Sequence, residues 1–116
     1  MTKQWYNWTS ANIATWNKSK FPENTATMQR RKLAGEIEEF KQAANSKEKL
    51  AELADCYIAS AGLTRFGGSS GAIGAFICDV LQRIDDTGKL AYAVDVKMRE
   101  NVERTFDENM QHIPQI

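Results

Sequence analysis

The chain has 116 residues, enough for one domain or at most two. Hydrophobic residues make up 42% of it and charged residues 26%, as in an ordinary globular protein. The 15 Lys and Arg residues are balanced by 15 Asp and Glu residues, so the basic surplus of a general nucleic-acid binder is missing. We therefore predict a single domain over 1–116, with a less ordered arm at 1–9 and tail at 107–116, and no nucleic-acid polymer as partner.

Neither a signal sequence nor a membrane span is evident. The N-terminus has no apolar signal core, and no run of about 18 apolar residues occurs. Cys56 and Cys78 do not form a CxxC motif and lie in apolar, helix-like runs, which is typical of reduced thiols in a core. We expect a cytoplasmic protein without a membrane partner.

Hydrophobic positions recur at helical spacing along the chain, and strand-like alternation is absent, so the predicted class is all-α. Capping residues and helix breakers predict five helices, over about 9–20, 25–44, 46–63, 72–86 and 90–106. Ser46 is expected to cap the third helix. Trp5, Tyr6 and Trp8 in the arm either cover the core edge or a subunit contact, or stack on a base. The architecture expected is a bundle of four to five helices.

The fourth predicted helix follows a glycine-rich stretch, Gly67–Gly71. This stretch is interpreted as a loop, either a flexible connector or a set of backbone N–H groups for a phosphate. It matches neither the P-loop nor the GxGxxG spacing. The helix after it is expected to bury six hydrophobic residues: Ile73, Phe76, Ile77, Val80, Leu81 and Ile84.

Four carboxylates form two pairs at helical spacing. Glu36 and Glu39 are three residues apart, as are Glu52 and Asp55, and residues three apart share a helix face. The segment between the pairs contains Asn45-Ser46, which allows a turn and a second, antiparallel helix. All four carboxylates could then converge. Because clustered acids are costly to bury without a cation, and oxygen ligands suit Mg²⁺ or Mn²⁺, a metal site is one interpretation.

The carboxylates also admit two other interpretations. They can be solvated helix edges that pair with Lys32, Lys49 and neighbouring cations, since Glu is a common residue. A di-iron bundle would need two Glu-x-x-His motifs. The single histidine of the sequence, His112, lies in the tail and is more often incidental than catalytic, so the di-iron interpretation fails.

A second candidate set lies on the last predicted helix. Lys97, Asn101 and Arg104 share one face at i, i+4 and i+7. Two cations and an amide on one face could hold phosphate oxygens. The alternative is a solvated helix face.

The linear order of these motifs resembles the all-α nucleoside triphosphate pyrophosphohydrolase superfamily. This MazG-like group includes the dimeric dUTPases and many phage dNTP pyrophosphohydrolases. Its hallmark is ExxE, a spacer of roughly a dozen or more residues, and then ExxD on a buried helix. Here the hallmark is carried by GEIEEF, preceded by Lys32-Leu33, and by KLAELADCYIASAGL, within a resemblance that spans residues 16–106. Two departures concern Gly35, where many members have an acid, and the extra acid Glu38 inside the first motif.

The resemblance implies a Mg²⁺-dependent hydrolase, with Mn²⁺ as a substitute, that cleaves a (d)NTP between the α and β phosphates. The implied metal ligands are Glu36, Glu39, Glu52 and Asp55. Glu39 or Glu38 would orient or deprotonate the attacking water. The residues expected to neutralise or bind the phosphates are Lys97, Asn101, Arg104 and Lys32. Trp16 either stacks on the base or packs in the core.

The resemblance also implies a homodimer or a dimer of dimers, with the cleft built between subunits. Some phage relatives process purine dNTPs, and by that analogy we expect dGTP or dATP as substrate; sanitising damaged nucleotides is the open alternative. The expected location is a bacterial or phage-infected host cytoplasm. The rival hypothesis is a non-catalytic helical adaptor that kept the fold. Four converging acids speak against that hypothesis, because a protein-binding module gains little from them.

Overall fold

The computed structural model describes residues 8–107 and 110–113, so the predictions on Trp5 and Tyr6 lie outside the described residues. Helices dominate the described part of the chain, which confirms the all-α class. None of its helices is both long and apolar enough to cross a bilayer. The elements are α1 (Ser10–Lys20), α2 (Ala26–Gln42), α3 (Ser46–Leu63), a 3-10 turn (Thr64–Phe66), α4 (Gly68–Ile84), α5 (Lys89–Glu103), β1 (Thr105–Phe106) and β2 (His112–Ile113).

Polar residues cap the first three helices. The Thr9 side chain accepts a hydrogen bond from the Asn12 backbone N–H, as expected for the N-cap of α1. The third cap differs from the prediction. Asn45 has extended backbone angles and accepts from the Glu48 N–H, so Ser46 is already the first helical residue. The Glu48 carboxylate in turn accepts from the Ala44 N–H at 2.9 Å, which further fixes the start of α3.

Helix α3 is the centre of the bundle and contacts α1, α2, α4 and α5. Its second half is almost completely buried, as the apolar run at its C-terminal end predicts. Tyr57 of α3 lies in the main core with Ile13 of α1, Leu81 of α4 and Val94 of α5. The two predicted acids of α3, Glu52 and Asp55, lie near the middle of this central helix.

The glycine-rich segment is helical instead of a loop. Helix α4 begins at Gly68, and the irregular backbone is limited to Gly67 and Gly68, with φ angles of 67° and 57°. The small residues that follow serve close packing. A Cβ on Gly74 would collide with the backbone carbonyl oxygen of Ser60, and one on Gly71 would lie 3.4 Å from the Thr64 carbonyl oxygen. The flexible-connector interpretation is therefore wrong for residues 68–71.

Helix α4 buries a different face from the one predicted. Gly74, Cys78 and Leu81 are buried, since α4 lies tightly against α3. Four of the six hydrophobic residues expected in the core are exposed instead, with 48, 68, 37 and 61% of their surface accessible: Ile73, Phe76, Val80 and Ile84. The hydrophobic pattern indicated a buried face, but the small residues beside it form the actual contact.

The C-terminal part turns back onto the bundle. Helix α5 ends at Glu103, three residues before the predicted end. Phe106 pairs with His112 in a two-residue antiparallel ladder, so part of the predicted tail forms a strand. The Phe106 ring lies 5.1 Å from that of Phe21, which attaches this segment to the end of α1. Strands of two residues have no sequence periodicity by which they could be predicted.

The close approach of α4 to α3 predicts that Gly74→Ala destabilises the protein. Alanine is the better helix former by about 1 kcal/mol, yet the collision with the Ser60 carbonyl should lower the free energy of unfolding by about 1–3 kcal/mol. Gly35→Ala is the matched control, because in the described part of the chain no atom outside the neighbouring turn of α2 lies within 4 Å of its added Cβ. It should raise the free energy of unfolding by about 0.5–1 kcal/mol. The free energy of unfolding is measured by urea titration, with circular dichroism as the signal. A stabilised Gly74→Ala variant would contradict the packing described.

Candidate active site

Three of the predicted acids form one cluster. Glu36 and Glu39 project from α2 and Glu52 projects from α3, and each offers a carboxylate oxygen within 4.8 Å of the others. The antiparallel course of α2 and α3 produces this convergence. Asp55 lies one turn further along α3, and its charge raises the pKa of both Glu36 and Glu52. We call Glu36, Glu39 and Glu52 the acidic triad.

Solvation differs within the acidic triad, since Glu36 is buried, Glu52 is partly buried and Glu39 is exposed. Glu36 is 9% exposed, and burial, followed by the Asp55 charge, raises its pKa to about 7. Burial and then Asp55 also raise the pKa of Glu52. The Glu52 Oε2 atom is buried and has no hydrogen-bond partner among the described residues. A buried carboxylate oxygen without a partner, beside two further carboxylates, fits a bound cation.

Two lysines lie at the edge of this cluster. Lys32 Nζ is 3.7 Å from Glu36 and Lys97 Nζ is 3.6 Å from Asp55. Burial raises the pKa of Asp55, and Lys97 opposes that effect. Lys49, the other expected partner, donates to the Phe40 carbonyl oxygen instead. The interpretation as solvated helix edges therefore does not account for buried Glu36.

A cleft of about 310 Å³ extends from these acids to the aromatic rings at the end of α1. This size is at the lower end of the range for small-molecule sites. Most of the predicted site residues line it: Glu36, Glu39, Asp55, Lys32, Asn101, Arg104 and Trp16. Residues from α1, α2, α3, α5 and the segment after α5 thus form one concave surface.

Three predicted residues are not among those that line the cleft: Glu38, Glu52 and Lys97. Glu38 is exposed and its carboxylate accepts from Gln42 at 3.1 Å, on the outer side of α2. Lys97 is engaged with Asp55 and is not among the lining residues. Arg104 lies just past the end of α5, so it does not continue the helical face of Lys97. Its guanidinium donates to Glu100 at 2.8 Å and to Asn101 at 3.3 Å.

Aromatic rings close the other end of the cleft. Trp16 packs edge-on against Phe21, with centroids 5.5 Å apart, and against Phe106 at 6.3 Å. It is half-buried and also lines the cleft, so the stacking and core interpretations of Trp16 are compatible. His112, predicted to be incidental, is exposed and lies at this rim beside Phe106.

Buried amides are the site feature that the sequence analysis missed. Asn17, Asn24 and Gln29 are 4, 8 and 2% exposed and are hydrogen-bonded to one another. We call these three residues the amide cluster. Asn17 and Gln29 line the cleft. The available signal was polarity on a core stripe, since Gln29 lies four residues before Leu33 and Asn17 lies four residues after Ile13.

Comparison with protein-family models, with curated proteins and with solved structures found no match. The chemistry must therefore be argued from the cleft itself. Its acids can hold a divalent cation, and Lys32 and Arg104 can bind anionic groups. Its aromatic rings and buried amides suit a flat ligand that carries polar edges.

The raised pKa of Glu36 predicts a pH-dependent stability of the metal-free protein. Its ordinary pKa is 4.5, and the folded state raises it to about 7. The folded state therefore holds this proton more tightly, and the free energy of unfolding falls as the pH rises from about 4.5 to about 7. The loss is at most about 3 kcal/mol. We expect a lower melting temperature at pH 8 than at pH 5 in chelator, measured by circular dichroism.

Variants separate this effect from general acid sensitivity. Glu36→Gln should lose most of the difference between the two pH values, whereas the matched control Glu38→Gln should keep it, because Glu38 is exposed on the outer side of α2. Identical pH profiles for wild type and Glu36→Gln would contradict the assignment of the raised pKa to Glu36.

Proposed function

We propose that this protein is a Mg²⁺-dependent nucleoside triphosphate pyrophosphohydrolase with a bundle of the MazG-like type. The observation that carries the proposal is the acidic triad near one end of a cleft that also holds Lys32 and Arg104. In this triad the Glu52 Oε2 atom has no hydrogen-bond partner within residues 8–107 and 110–113. The order of the ExxE and ExxD motifs, which resembles that superfamily, supports the same reaction. The substrate is a purine dNTP, dGTP or dATP, by analogy with phage relatives.

The acidic triad would hold Mg²⁺, or Mn²⁺ in its place, with Asp55 close by. A bound divalent ion lowers the pKa of a water molecule and polarises the α-phosphate. Of the two candidate bases, Glu39 is favoured over Glu38, because it lines the cleft and belongs to the triad. Its carboxylate would take the proton of the attacking water as the bond between the α-phosphorus and the bridging oxygen breaks.

Cationic residues of the cleft would stabilise the leaving pyrophosphate. Arg104 offers a guanidinium at the cleft wall, held by Asn101 and Glu100, and such a fork binds phosphate oxygens well. Lys32 lies on the same wall as the triad. Lys97 would act on the phosphates only through its charge, because its ammonium group is paired with Asp55. The products would be the nucleoside monophosphate and pyrophosphate.

The rival hypothesis, a helical adaptor without catalysis, is tested by metal binding. Addition of Mg²⁺ or Mn²⁺ should raise the melting temperature of the wild type, because a cation would relieve repulsion within the acidic triad. Glu52→Gln should show a much smaller rise. If neither ion shifts the melting temperature, with or without nucleotide, the adaptor is favoured.

We also propose that the protein is a homodimer that joins through α4. Its exposed hydrophobic residues recur at i, i+3, i+7 and i+11, so they form one stripe: Ile73, Phe76, Val80 and Ile84. Asp79 and Arg83 border this stripe and are exposed. Two copies of α4 packed antiparallel would bring the same stripe of each copy together, as in a two-fold interface, with Asp79 and Arg83 of each copy near those of the other.

The proposed interface predicts that Phe76→Glu converts a dimer into a monomer. Phe76 is 68% exposed in the stripe, and a charge there would have to be desolvated in the dimer. Tyr92→Glu is the matched control, because Tyr92 is similarly exposed, at 69%, on α5. Sedimentation velocity should show half the mass for Phe76→Glu only. A wild type that is monomeric at high concentration would contradict the proposal.

A further inference from the structure

The amide cluster has no role in the hydrolysis described above, yet it lies in the same cleft. We propose that Asn17 and Gln29 recognise the nucleobase as paired hydrogen-bond donors and thereby select guanine over adenine. This role rests on the proposed hydrolase function. The inference depends on the orientation of the buried amides, on their distance from the acids, and on the pattern of donors and acceptors that each purine presents.

Two contacts determine the orientation of the amides. Gln29 Nε2 donates to the Ala59 backbone oxygen at 2.9 Å, and that oxygen can only accept. The Arg65 guanidinium, which can only donate, lies 2.9 Å from Asn17 Oδ1. These two partners therefore determine which terminal atom of each amide is the nitrogen and which is the oxygen.

The remaining contacts of the amide cluster follow from these two. Asn24 Nδ2 donates to Asn17 Oδ1 at 3.0 Å and to Gln29 Oε1 at 2.8 Å. Asn17 Nδ2 donates to Gln29 Oε1 at 3.4 Å. Each of these two oxygens therefore already accepts two hydrogen bonds from described residues.

What Asn17 and Gln29 retain for a ligand are N–H groups. An amide nitrogen carries two hydrogens, and Asn17 Nδ2 and Gln29 Nε2 each use one within the described part of the chain. The two nitrogens lie on the same side of Gly62, since each is 2.7 Å from the place where a Cβ on Gly62 would be. The glycine leaves room for them. A ligand that meets both residues therefore meets two neighbouring donors.

The donors lie at the end of the cleft opposite the acids. Gln29 precedes Glu36 on α2 by seven residues, which is about 10 Å along a helix axis. On the antiparallel α3, Ala59 and Gly62 lie on the corresponding side of Asp55. Phosphates bound near the acidic triad and Lys32 would therefore direct the base towards Trp16 and the amide cluster. The order of groups in the cleft matches the order of groups in a nucleotide.

Guanine and adenine differ on the edge that two donors would contact. Guanine presents two adjacent acceptors, O6 and N7, whereas adenine presents the N7 acceptor beside the N6 amino donor. Against two N–H groups, adenine would oppose donor to donor and leave a buried N–H unpaired. Such a mismatch reduces kcat/KM by about 10- to 100-fold.

Substrate analogues test this pairing on the wild-type protein. We expect kcat/KM for dGTP to exceed that for dATP by about tenfold or more. Deoxyinosine triphosphate keeps O6 and N7 and should match dGTP within about twofold, whereas 7-deaza-dGTP lacks N7 and should fall by about tenfold. Equal turnover of dGTP and 7-deaza-dGTP, or a preference for dATP or dCTP, would overturn the inference.

A binding measurement separates this inference from the proposed reaction. Calorimetry with the α,β-imido analogues of dGTP and dATP, in Mg²⁺, reports base recognition without cleavage. Tighter binding of the guanine analogue without any dNTP hydrolysis would overturn the hydrolase and support the base recognition. Hydrolysis without a guanine preference would support the hydrolase and overturn the base recognition. Absence of both binding and hydrolysis would overturn both proposals.

Arg65 is the positioning residue in this scheme. Its guanidinium also donates to the backbone oxygens of Asn17 and Phe21, so it holds the end of α1. Arg65→Met should free the Asn17 amide to rotate and lower the dGTP/dATP ratio of kcat/KM by about fivefold or more. The exposed Arg99→Met is the control and should keep the ratio, because Arg99 is outside the lining of the cleft. An unchanged dGTP/dATP ratio of kcat/KM in folded Arg65→Met would overturn the role of Arg65. If that variant does not fold, the substrate analogues on the wild-type protein test the base recognition instead.

Discussion

Glu52→Gln is expected to reduce pyrophosphate release by at least about a thousandfold, equivalent to about 4 kcal/mol of transition-state stabilisation. Glu52 contributes the α3 side of the acidic triad, and its buried Oε2 lacks a partner among the described residues. The amide has the same shape but lacks the charge that a divalent ion requires. The measurement is steady-state turnover of dGTP in saturating Mg²⁺, alongside circular dichroism.

The fold should survive this substitution. Burial and neighbouring carboxylates raise the pKa of Glu52, so a neutral side chain relieves repulsion in the metal-free protein. The matched control is Glu38→Gln, an identical change on α2 outside the cleft, which should keep turnover within about twofold. An unfolded Glu52→Gln variant would mean that the acid is structural, and full activity would exclude Glu52 from the metal site.

Arg104→Met should lower kcat/KM by about a hundredfold, or about 2.7 kcal/mol. Arg104 is the guanidinium on the cleft wall, and methionine keeps much of its length while removing the charge. Because charge on the leaving pyrophosphate grows during the reaction, the loss should appear mainly in kcat. Steady-state kinetics with the preferred dNTP measures both constants.

Arg99→Met is the control for this effect. Arg99 pairs with Asp95 four residues earlier, just as Arg104 pairs with Glu100, but it is outside the lining of the cleft. Arg99 is 64% exposed, so loss of its pairing should change the free energy of unfolding by about 1 kcal/mol or less, and turnover should be unaffected. Equal effects of the two substitutions would mean that Arg104 acts only through surface charge.

Local signals in the sequence predicted much of the fold and part of the site. The helical periodicity and the polar caps gave the five helices with ends displaced by a few residues. The i, i+3 spacing of Glu36 and Glu39, and the turn before α3, predicted the convergence of acids that the structure shows as a triad. These features depend on interactions between residues that are close in the sequence, so they can be predicted from the order of residues.

Features that depend on distant contacts were not predictable in the same way. The hydrophobic stripe of α4 indicated burial, yet α4 turns its glycines towards α3, because backbone atoms pack closely where Cβ atoms are missing. The amide cluster joins α1, α2 and the loop between them, and Arg65 reaches it from 48 residues away. The hydrogen-bond partners of the amide cluster, and the orientation of its amides, exist only in the folded structure, where α1 packs against α3. The order of residues alone does not indicate them.

The first measurement is the identity of the products from a panel of NTPs and dNTPs, with Mg²⁺ and then Mn²⁺. We predict equal amounts of pyrophosphate and nucleoside monophosphate, metal dependence, and one preferred base. Release of inorganic phosphate and a diphosphate would place cleavage at another bond and contradict the proposed reaction. Silence across the panel, from folded protein with both metals, would contradict the hydrolase for common nucleotides and favour the adaptor.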